Sequence, residues 1–287
     1  MHSLSASPAQ SLPPSKLAQA RSFLFVPGNR PERFAKALCS GADAVIIDLE
    51  DAVPLDAKDL ARAALLSAWS AFDADQRARL SVRVNPAGTP WHEADLAVLG
   101  DLLGLGAVML PKAENPQQLE HAFMASGVPV LPLIESAEGV GQMESIARAQ
   151  GVLRLGLGHI DLQADLRIVC GPDEAELAPI RLAMVVASRR AHLPAPVDGV
   201  TTATTDAEVL ARDAQRSRRF GFGAKLCIHP AQVAGVHQAL APTEAECAWA
   251  ERVLAAEAQA HGGAFSVDGK MVDPPVLLLA RQILQIL

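Results

Sequence analysis

Only four cysteines occur among the 287 residues, and Cys39, Cys170, Cys227 and Cys247 stand far apart without a CxxC pair. Neither a disulfide framework nor a zinc knuckle fits that spacing. Basic tracts are missing as well. With a net charge of -7, and with Arg216, Arg218 and Arg219 in a predicted helix as the nearest approach to a basic cluster, the chain offers no surface for nucleic acid. No apolar run is long enough to span a membrane, because Asp, Glu, Lys, Arg or Pro interrupts every candidate. Met1 to Ser15 are rich in Ser, Pro and Ala but lack the basic start and continuous apolar stretch of a secretory signal. These absences predict a soluble, cytoplasmic protein, free of nucleic acid and membrane, with residues 1–20 as a disordered arm. Familiar fingerprints are absent too. The Gly104-Leu105-Gly106 and Gly156-Leu157-Gly158 pairs lack the third glycine of a dinucleotide-binding turn, and there is no P-loop, GxSxG or HExxH.

What is present is a rhythm. Half of the residues are hydrophobic, enough for a sizeable core, and short apolar runs alternate with longer Ala-rich, charge-bearing segments along almost the whole chain. The runs Phe23 to Val26, Ala44 to Leu49, Leu80 to Val84, Ala107 to Leu110, Val130 to Ile134, Leu153 to Leu157, Val197 to Val200 and Lys225 to Ile228 predict eight strands. Between them Pro31 to Ser40, Ala57 to Ala71, Glu93 to Leu103, Pro116 to Ala125, Gly141 to Ala149, Glu174 to His192 and Asp206 to Phe220 predict helices, several opening on start signals such as Asn115-Pro116. Repeated βα units of this length predict an α/β fold, a closed (β/α)8 TIM barrel over residues 21–240. A tail over 241–287 follows, with a helix from Thr243 to Ala260, a Gly-rich turn and an amphipathic helix from Pro275 to Leu287, predicting a C-terminal helical extension or lid.

In parallel barrels the chemistry sits at the C-terminal ends of the strands. Here the second strand runs into Asp48, Glu50 and Asp51, the third carries Arg83 and Asn85, the fourth ends at Lys112, the fifth at Glu135, the sixth near Asp161, the seventh at Asp198 and the eighth at His229. Their N-terminal ends are mostly Ala, Gly, Val and Pro, so the polarity is one-sided. Several carboxylates with few histidines make an oxygen-donor set suited to Mg2+ or Mn2+ rather than zinc. An arginine and a lysine beside them suit a small anionic substrate, since a guanidinium can grip a carboxylate with two parallel bonds.

The motifs Arg21-Ser22-Phe23-Leu24-Phe25-Val26-Pro27-Gly28, Asp43-Ala44-Val45-Ile46-Ile47-Asp48-Leu49-Glu50-Asp51-Ala52-Val53, Val82-Arg83-Val84-Asn85-Pro86, Leu110-Pro111-Lys112-Ala113-Glu114, Leu133-Ile134-Glu135 and Ile228-His229-Pro230-Ala231-Gln232 occur in that order. Together they resemble the citrate lyase beta subunit-like family, within the HpcH/HpaI aldolase group that includes malyl-CoA and citramalyl-CoA lyases. The resemblance implies that Glu135 and Asp161 bind the metal, that Arg83 holds the oxygens of a 2-keto acid, and that Glu50 and Asp51 orient metal-bound water. Arg21, Lys112 and His229 are its further substrate-binding candidates. Asp268-Gly269-Lys270-Met271-Val272-Asp273 resembles the family's lid, whose acid at Asp273 implies catalysis across a subunit boundary in a homo-oligomer, a trimer or hexamer. One stretch departs from the pattern. Where the family often has Gly-x-Glu-Asp-Leu followed by a glycine, this chain has Gly158-His159-Ile160-Asp161-Leu162 and then Arg167, so its substrates do not follow directly from the family's.

Plainer readings stand beside these. Asp48, Glu50 and Asp51 could cap a helix, Glu135 could start one, Lys112 could be a surface lysine, His229 could be structural, and Asp273 could be a turn residue. The reading these residues favour is a Mg2+-dependent carbon–carbon lyase. It would cleave or form a 3-hydroxyacyl thioester such as malyl-, citramalyl- or citryl-CoA, free or carrier-bound, with a 2-keto acid such as oxaloacetate, glyoxylate or pyruvate as the other product. Two rivals stay open at this point: a class II aldolase releasing pyruvate from a free hydroxy-keto acid, and a barrel that binds a metabolite without turnover.

Overall fold

The structure is a computed structural model that describes residues 15–259 and 265–285; residues 1–14 of the expected arm lie outside them. Eight parallel strands close into a barrel in sequence order: β1 Ser22–Pro27, β2 Ala44–Asp48, β3 Leu80–Arg83, β4 Ala107–Leu110, β5 Val130–Ile134, β6 Gly156–Leu157, β7 Val197–Asp198 and β8 Ala224–Cys227. Closure comes from β1 against β8, with Phe23 opposite Leu226. These strands are covered on both faces, which is why they read as unbroken apolar runs rather than as alternation: all five residues of β2 are buried. The eight expected strands are all present, the sixth and seventh shortened to two residues each.

Helices follow the strands where local chemistry starts and stops them. Asn115 accepts from the Gln118 N–H while Gln118 accepts from the Asn115 N–H, Pro116 opens the helix Pro116–Ser126, and Gly127 ends it with φ 68°. The helix expected over 174–192 begins later, at Ala178, after a single 3-10 turn, because a proline sits in its first turn and can serve only there. The helix expected over 141–149 is two short ones, Ala137–Gly141 and Met143–Ala147, broken at Gln142. Helices that were not foreseen include Ala74–Ala78 before β3, Gln232–Leu240 after β8 and, most important for the site, His159–Leu166 directly after β6.

The barrel interior is filled by side chains that include Phe23, Ile46, Met109, Leu131, Leu133 and Leu226. Its N-terminal end is plugged by residues expected to belong to the disordered arm. Lys16–Gln19 form a helical turn, Leu17 and Ala20 are buried in that core, and the buried Arg154 donates to the carbonyls of Leu17, Ala18 and Ala20. A buried guanidinium needs such acceptors, and the main chain of this segment supplies them.

The chain divides into two compact units, one up to His237 and one from Gln238. In the second, the helices Glu244–Gln259 and Pro274–Gln285 and an antiparallel hairpin of β9 Phe265–Val267 and β10 Lys270–Val272 share a core of Ala250, Val253, Val267, Val272, Ala280 and Ile283. Asp268 (φ 53°) and Gly269 (φ 75°) make the two-residue turn, both in the left-handed region that a tight hairpin demands. Among the described residues, no helix is long and apolar enough to cross a membrane.

Candidate active site

Register brings the first charges together. Pro27 pairs with Asp48 and Asp48 with Arg83, so the last residues of β1, β2 and β3 lie at one level on the C-terminal rim. Neighbours in register point to the same face of a sheet. Arg83 Nε and Nη2 each donate to one oxygen of Asp48 at 2.7 Å, a two-bond fork inside the barrel. Its remaining terminal nitrogen lies 2.9 Å from Glu50 Oε2 and 3.5 Å from Asp51 Oδ2. The guanidinium also stands 4.8 Å from the centre of the Phe25 ring. The fork that the sequence offered to a substrate carboxylate is therefore occupied by Asp48, and only the outer edge of Arg83 is left.

Asp48 organises the turn as well. Its two oxygens accept from the Glu50 and Ala52 N–H groups, and the buried Lys58 ammonium donates to the carbonyls of Leu49 and Glu50 at 2.7 Å each. Glu50 is thereby held in a buried position behind Arg83, while Asp51 next to it is exposed. Burial pushes the Glu50 carboxyl up to about 8, with Arg83 opposing and Asp51, Glu135 and Asp48 adding to the rise.

Glu135 follows β5 and is 4% exposed. Its Oε1 accepts from the Lys112 N–H at 2.8 Å, an N–H turned to it by the left-handed backbone of Lys112 (φ 48°). Lys112 thus reaches the site through its main chain, and its side chain is exposed. Burial raises the Glu135 carboxyl to about 7, with the Lys112 bond lowering it and Asp161 raising it. Asp161 lies in the first turn of the helix His159–Leu166, where a carboxylate is favoured by the helix dipole. Asp165 of that helix accepts from the Ala137 N–H at 2.7 Å, tying Asp161's helix to the turn after Glu135. Gly158 is needed between them, because a Cβ there would collide with Glu135 Oε2.

These groups open on a cavity of about 400 Å³. Its polar lining is Asp48, Asp51, Arg83, Glu135, His159 and Asp161; Phe25, Leu133, Leu157, Ile160, Val200, Leu226 and Ile228 supply apolar walls. Five carboxylates (Asp48, Glu50, Asp51, Glu135 and Asp161) gather near one guanidinium, and two of them hold protons more tightly than a free carboxyl does. That surplus of negative oxygen fits a hard divalent cation, and the donor set lacks thiolate altogether.

Other candidates lie elsewhere. Arg21 precedes β1 at the opposite, N-terminal end of the barrel, where its N–H donates to Asp43 at 2.7 Å and its guanidinium faces the same acid. It is not part of this cavity, because the chain must run the whole of β1 to reach the rim. His229 is exposed and outside the lining; its Nδ1 accepts from the Ala231 N–H beside the start of the helix Gln232–Leu240. Asp198, placed on the rim by the sequence, is fully buried and turned to the surrounding helices, taking bonds from Arg181 and Ser217. Asp273 lies in the C-terminal unit, where its Oδ1 accepts from the Val276 N–H at the start of Pro274–Gln285.

Lys58, Gly158 and Asp165 were not singled out as site residues, and Asp48 was named on the rim without the role of partner to Arg83. For Asp48 the signal was present: it ends a strand one step along the sheet from the strand that ends in Arg83. His159 was also passed over. It is 4% exposed, packs its Nδ1 against Gly199 and faces Glu174 at 3.7 Å through Nε2. Burial lowers its pKa, which favours the neutral ring.

Residues 21–230 match the HpcH/HpaI aldolase/citrate lyase family. The chain is 38% identical to a citrate lyase subunit beta-like protein of Deinococcus radiodurans, over 95% of this chain and 98% of the relative. It is 37% identical to a (3S)-malyl-CoA thioesterase of Cereibacter sphaeroides, over 92% of this chain and 93% of the relative. Among solved structures, CitE of Mycobacterium tuberculosis in complex with magnesium, acetoacetate and coenzyme A superposes with a TM-score of 0.82 at 35% identity, covering 94% of this chain and 98% of that one.

Proposed function

Because the chain belongs to the HpcH/HpaI aldolase/citrate lyase family, we propose that it is a Mg2+-dependent carbon–carbon lyase that splits a 3-hydroxyacyl-CoA thioester into a 2-keto acid and an acyl thioester. The observation that carries this reading is the pair Glu135 and Asp161: a buried carboxylate raised toward neutrality and an exposed one on a helix tied to it, both on one cavity. These two would hold Mg2+ (Mn2+ serving in its place), and such an ion, when bound, draws charge from the oxygens of the keto-acid fragment. The M. tuberculosis complex with magnesium, acetoacetate and coenzyme A supports the same class of ligands here.

The chain's own residues do the rest. The outer edge of Arg83, held in place by Asp48, meets the keto-acid oxygens without having to be oriented by the substrate. Glu50 and Asp51 orient a water at the cavity mouth, and loss of the substrate hydroxyl proton to Asp51, which lines the cavity, breaks the adjacent carbon–carbon bond. Its electron pair moves to the thioester carbonyl as an enolate, which one proton converts to the acyl thioester. We assign that proton to Asp273, supplied by a neighbouring copy in a homo-oligomer. The exposed Met271, Leu278 and Leu279 of the C-terminal unit are apolar surface consistent with such a neighbour.

A second reading is thioester hydrolysis, favoured by the (3S)-malyl-CoA thioesterase relative. Both are tested together by incubating the protein and Mg2+ with malyl-, citramalyl- and citryl-CoA, while free thiol and 2-keto acid are measured in parallel. The lyase releases keto acid without thiol, and the thioesterase releases thiol without keto acid. Glu135→Ala should abolish either. Cleavage of a free hydroxy-keto acid with no response to any CoA ester would overturn the proposal in favour of an aldolase. Mixing Asp273→Ala with Glu135→Ala under subunit exchange should restore some turnover if Asp273 acts across subunits.

A further inference from the structure

On the outside of the barrel, the helices His92–Leu99 and Pro116–Ser126 bring together His92, Glu93 and His121. One ligand atom from each lies within 4.8 Å of the other two. None of these residues lines the cavity of the active site. The two imidazole centres are 6.3 Å apart with their planes tilted by 35°, so the rings converge without stacking. His121 Nε2 lies 3.1 Å from Glu93 Oε2.

An exposed imidazole–carboxylate pair alone would be ordinary surface polarity and worth little. The buried third member makes the difference. His92 is 3% exposed, and its Nδ1 is 2.7 Å from the carbonyl oxygen of Asn85. A carbonyl can only accept, so Nδ1 carries the proton and Nε2 is left with its lone pair. Metal-binding histidines are commonly prepared in this way, by one ring N–H donated to a main-chain oxygen. Two imidazoles and one carboxylate select borderline ions such as Zn2+ or Co2+ over Mg2+, the reverse of the oxygen-rich set at Glu135. Zinc at about 2.0–2.1 Å from each donor needs donors roughly 3.3–3.5 Å apart. The exposed Glu93 and His121 side chains can close that gap while His92 stays fixed.

We propose that His92, Glu93 and His121 form a second metal site, separate from the active site, that takes one zinc-class divalent cation and clamps the two helices together. It also pins the loop after β3: Asn85, whose carbonyl orients His92, uses its side chain to bond Leu49 O and the buried Asp95.

The test uses the full-length protein, stripped by chelation and then kept in excess Mg2+, titrated with Zn2+ by calorimetry and with Co2+ by visible absorption. His121→Ala and Glu93→Gln change exposed side chains, so the fold should survive, as circular dichroism can verify. Each should weaken Zn2+ binding by about 10-fold or more and remove the cobalt band of the nitrogen-ligated site, while Glu135→Ala leaves both intact. Saturating Zn2+ should also raise the thermal midpoint of the unaltered protein by roughly 5 °C, and not that of His121→Ala. The inference is overturned if no zinc binds in excess Mg2+. It is equally overturned if binding survives both surface substitutions, or if Glu135→Ala abolishes it and so places the ion on the active-site carboxylates.

Discussion

Arg83 spends two of its donors on Asp48 and turns its remaining terminal nitrogen toward Glu50 and Asp51 where it lines the cavity. Arg83→Lys retains the charge but cannot make the fork and also reach Glu50, so it should lower unfolding stability by about 1–3 kcal/mol. On any accepted substrate it should cut kcat/KM at least about tenfold, since the edge that meets the substrate is no longer held. Urea titration and steady-state kinetics check this; a variant with unchanged stability would show that the fork contributes nothing. Gly158→Ala is the sharper probe, because the atoms nearest the added methyl, the carboxylate and Cβ of Glu135, all belong to that one side chain. It should fold, need more Mg2+ for half-maximal rate and lose about 10²-fold in activity, the usual penalty for an ångström of misplacement. An unchanged Mg2+ requirement would remove Glu135 from the metal assignment.

The helix His159–Leu166 carries the stretch singled out as departing from the pattern that the resemblance implies, and its end shows what a glycine at Arg167 would do. Arg167 caps this helix in the left-handed conformation, φ 55°. A residue with a Cβ is strained there and glycine is not. Arg167→Gly should therefore stabilise the protein by about 1 kcal/mol despite removing a large side chain, read as a higher urea midpoint at unchanged slope. A lower midpoint would mean that Arg167 makes up its strain through a contact. At the other end of the same helix, Ile160 takes the place of an acid and is 46% exposed while lining the cavity. Ile160 thus gives the cavity an apolar wall beside Glu135 and Asp161.

Across the whole molecule, the clustered acids couple stability to pH and to cation. The carboxyls of Glu50 and Glu135 are raised from 4.5 to about 8 and about 7. Between those limits the folded protein holds protons that the unfolded chain has released, so its stability falls as pH rises from about 5 to 8 and levels off beyond. Each carboxyl contributes a slope of at most about 1.4 kcal/mol per pH unit. Mg2+ held as proposed by Glu135 and Asp161 would bind the ionised form, so it should stabilise the folded state more at pH 8 than at pH 5. Denaturation curves with chelator and with Mg2+ at several pH values check both statements. Stability in chelator that rises from pH 5 to 8, or a Mg2+ effect independent of pH, would contradict them.

The sequence by itself determined the barrel. Strands buried on both faces must be apolar throughout and helices must follow them, so eight such units in order leave one closed arrangement. It also showed carboxylates at the C-terminal rim, although Arg21, Asp43 and Arg79 put charge at the other end of the barrel as well. Tertiary structure decided what each charge does. Whether Arg83 meets a substrate or Asp48, whether Lys112 acts through its side chain or its N–H, and whether Asp198 faces the lumen or the helices depend on register and burial, to which composition is blind. Arg21 and Arg83 both adjoin apolar strands, but one precedes its strand and the other ends it, and a strand's length separates them. Leu17 looked like part of a disordered arm because four helical residues bury too little on their own; only the open end of a barrel and the donors of Arg154 give them something to cover.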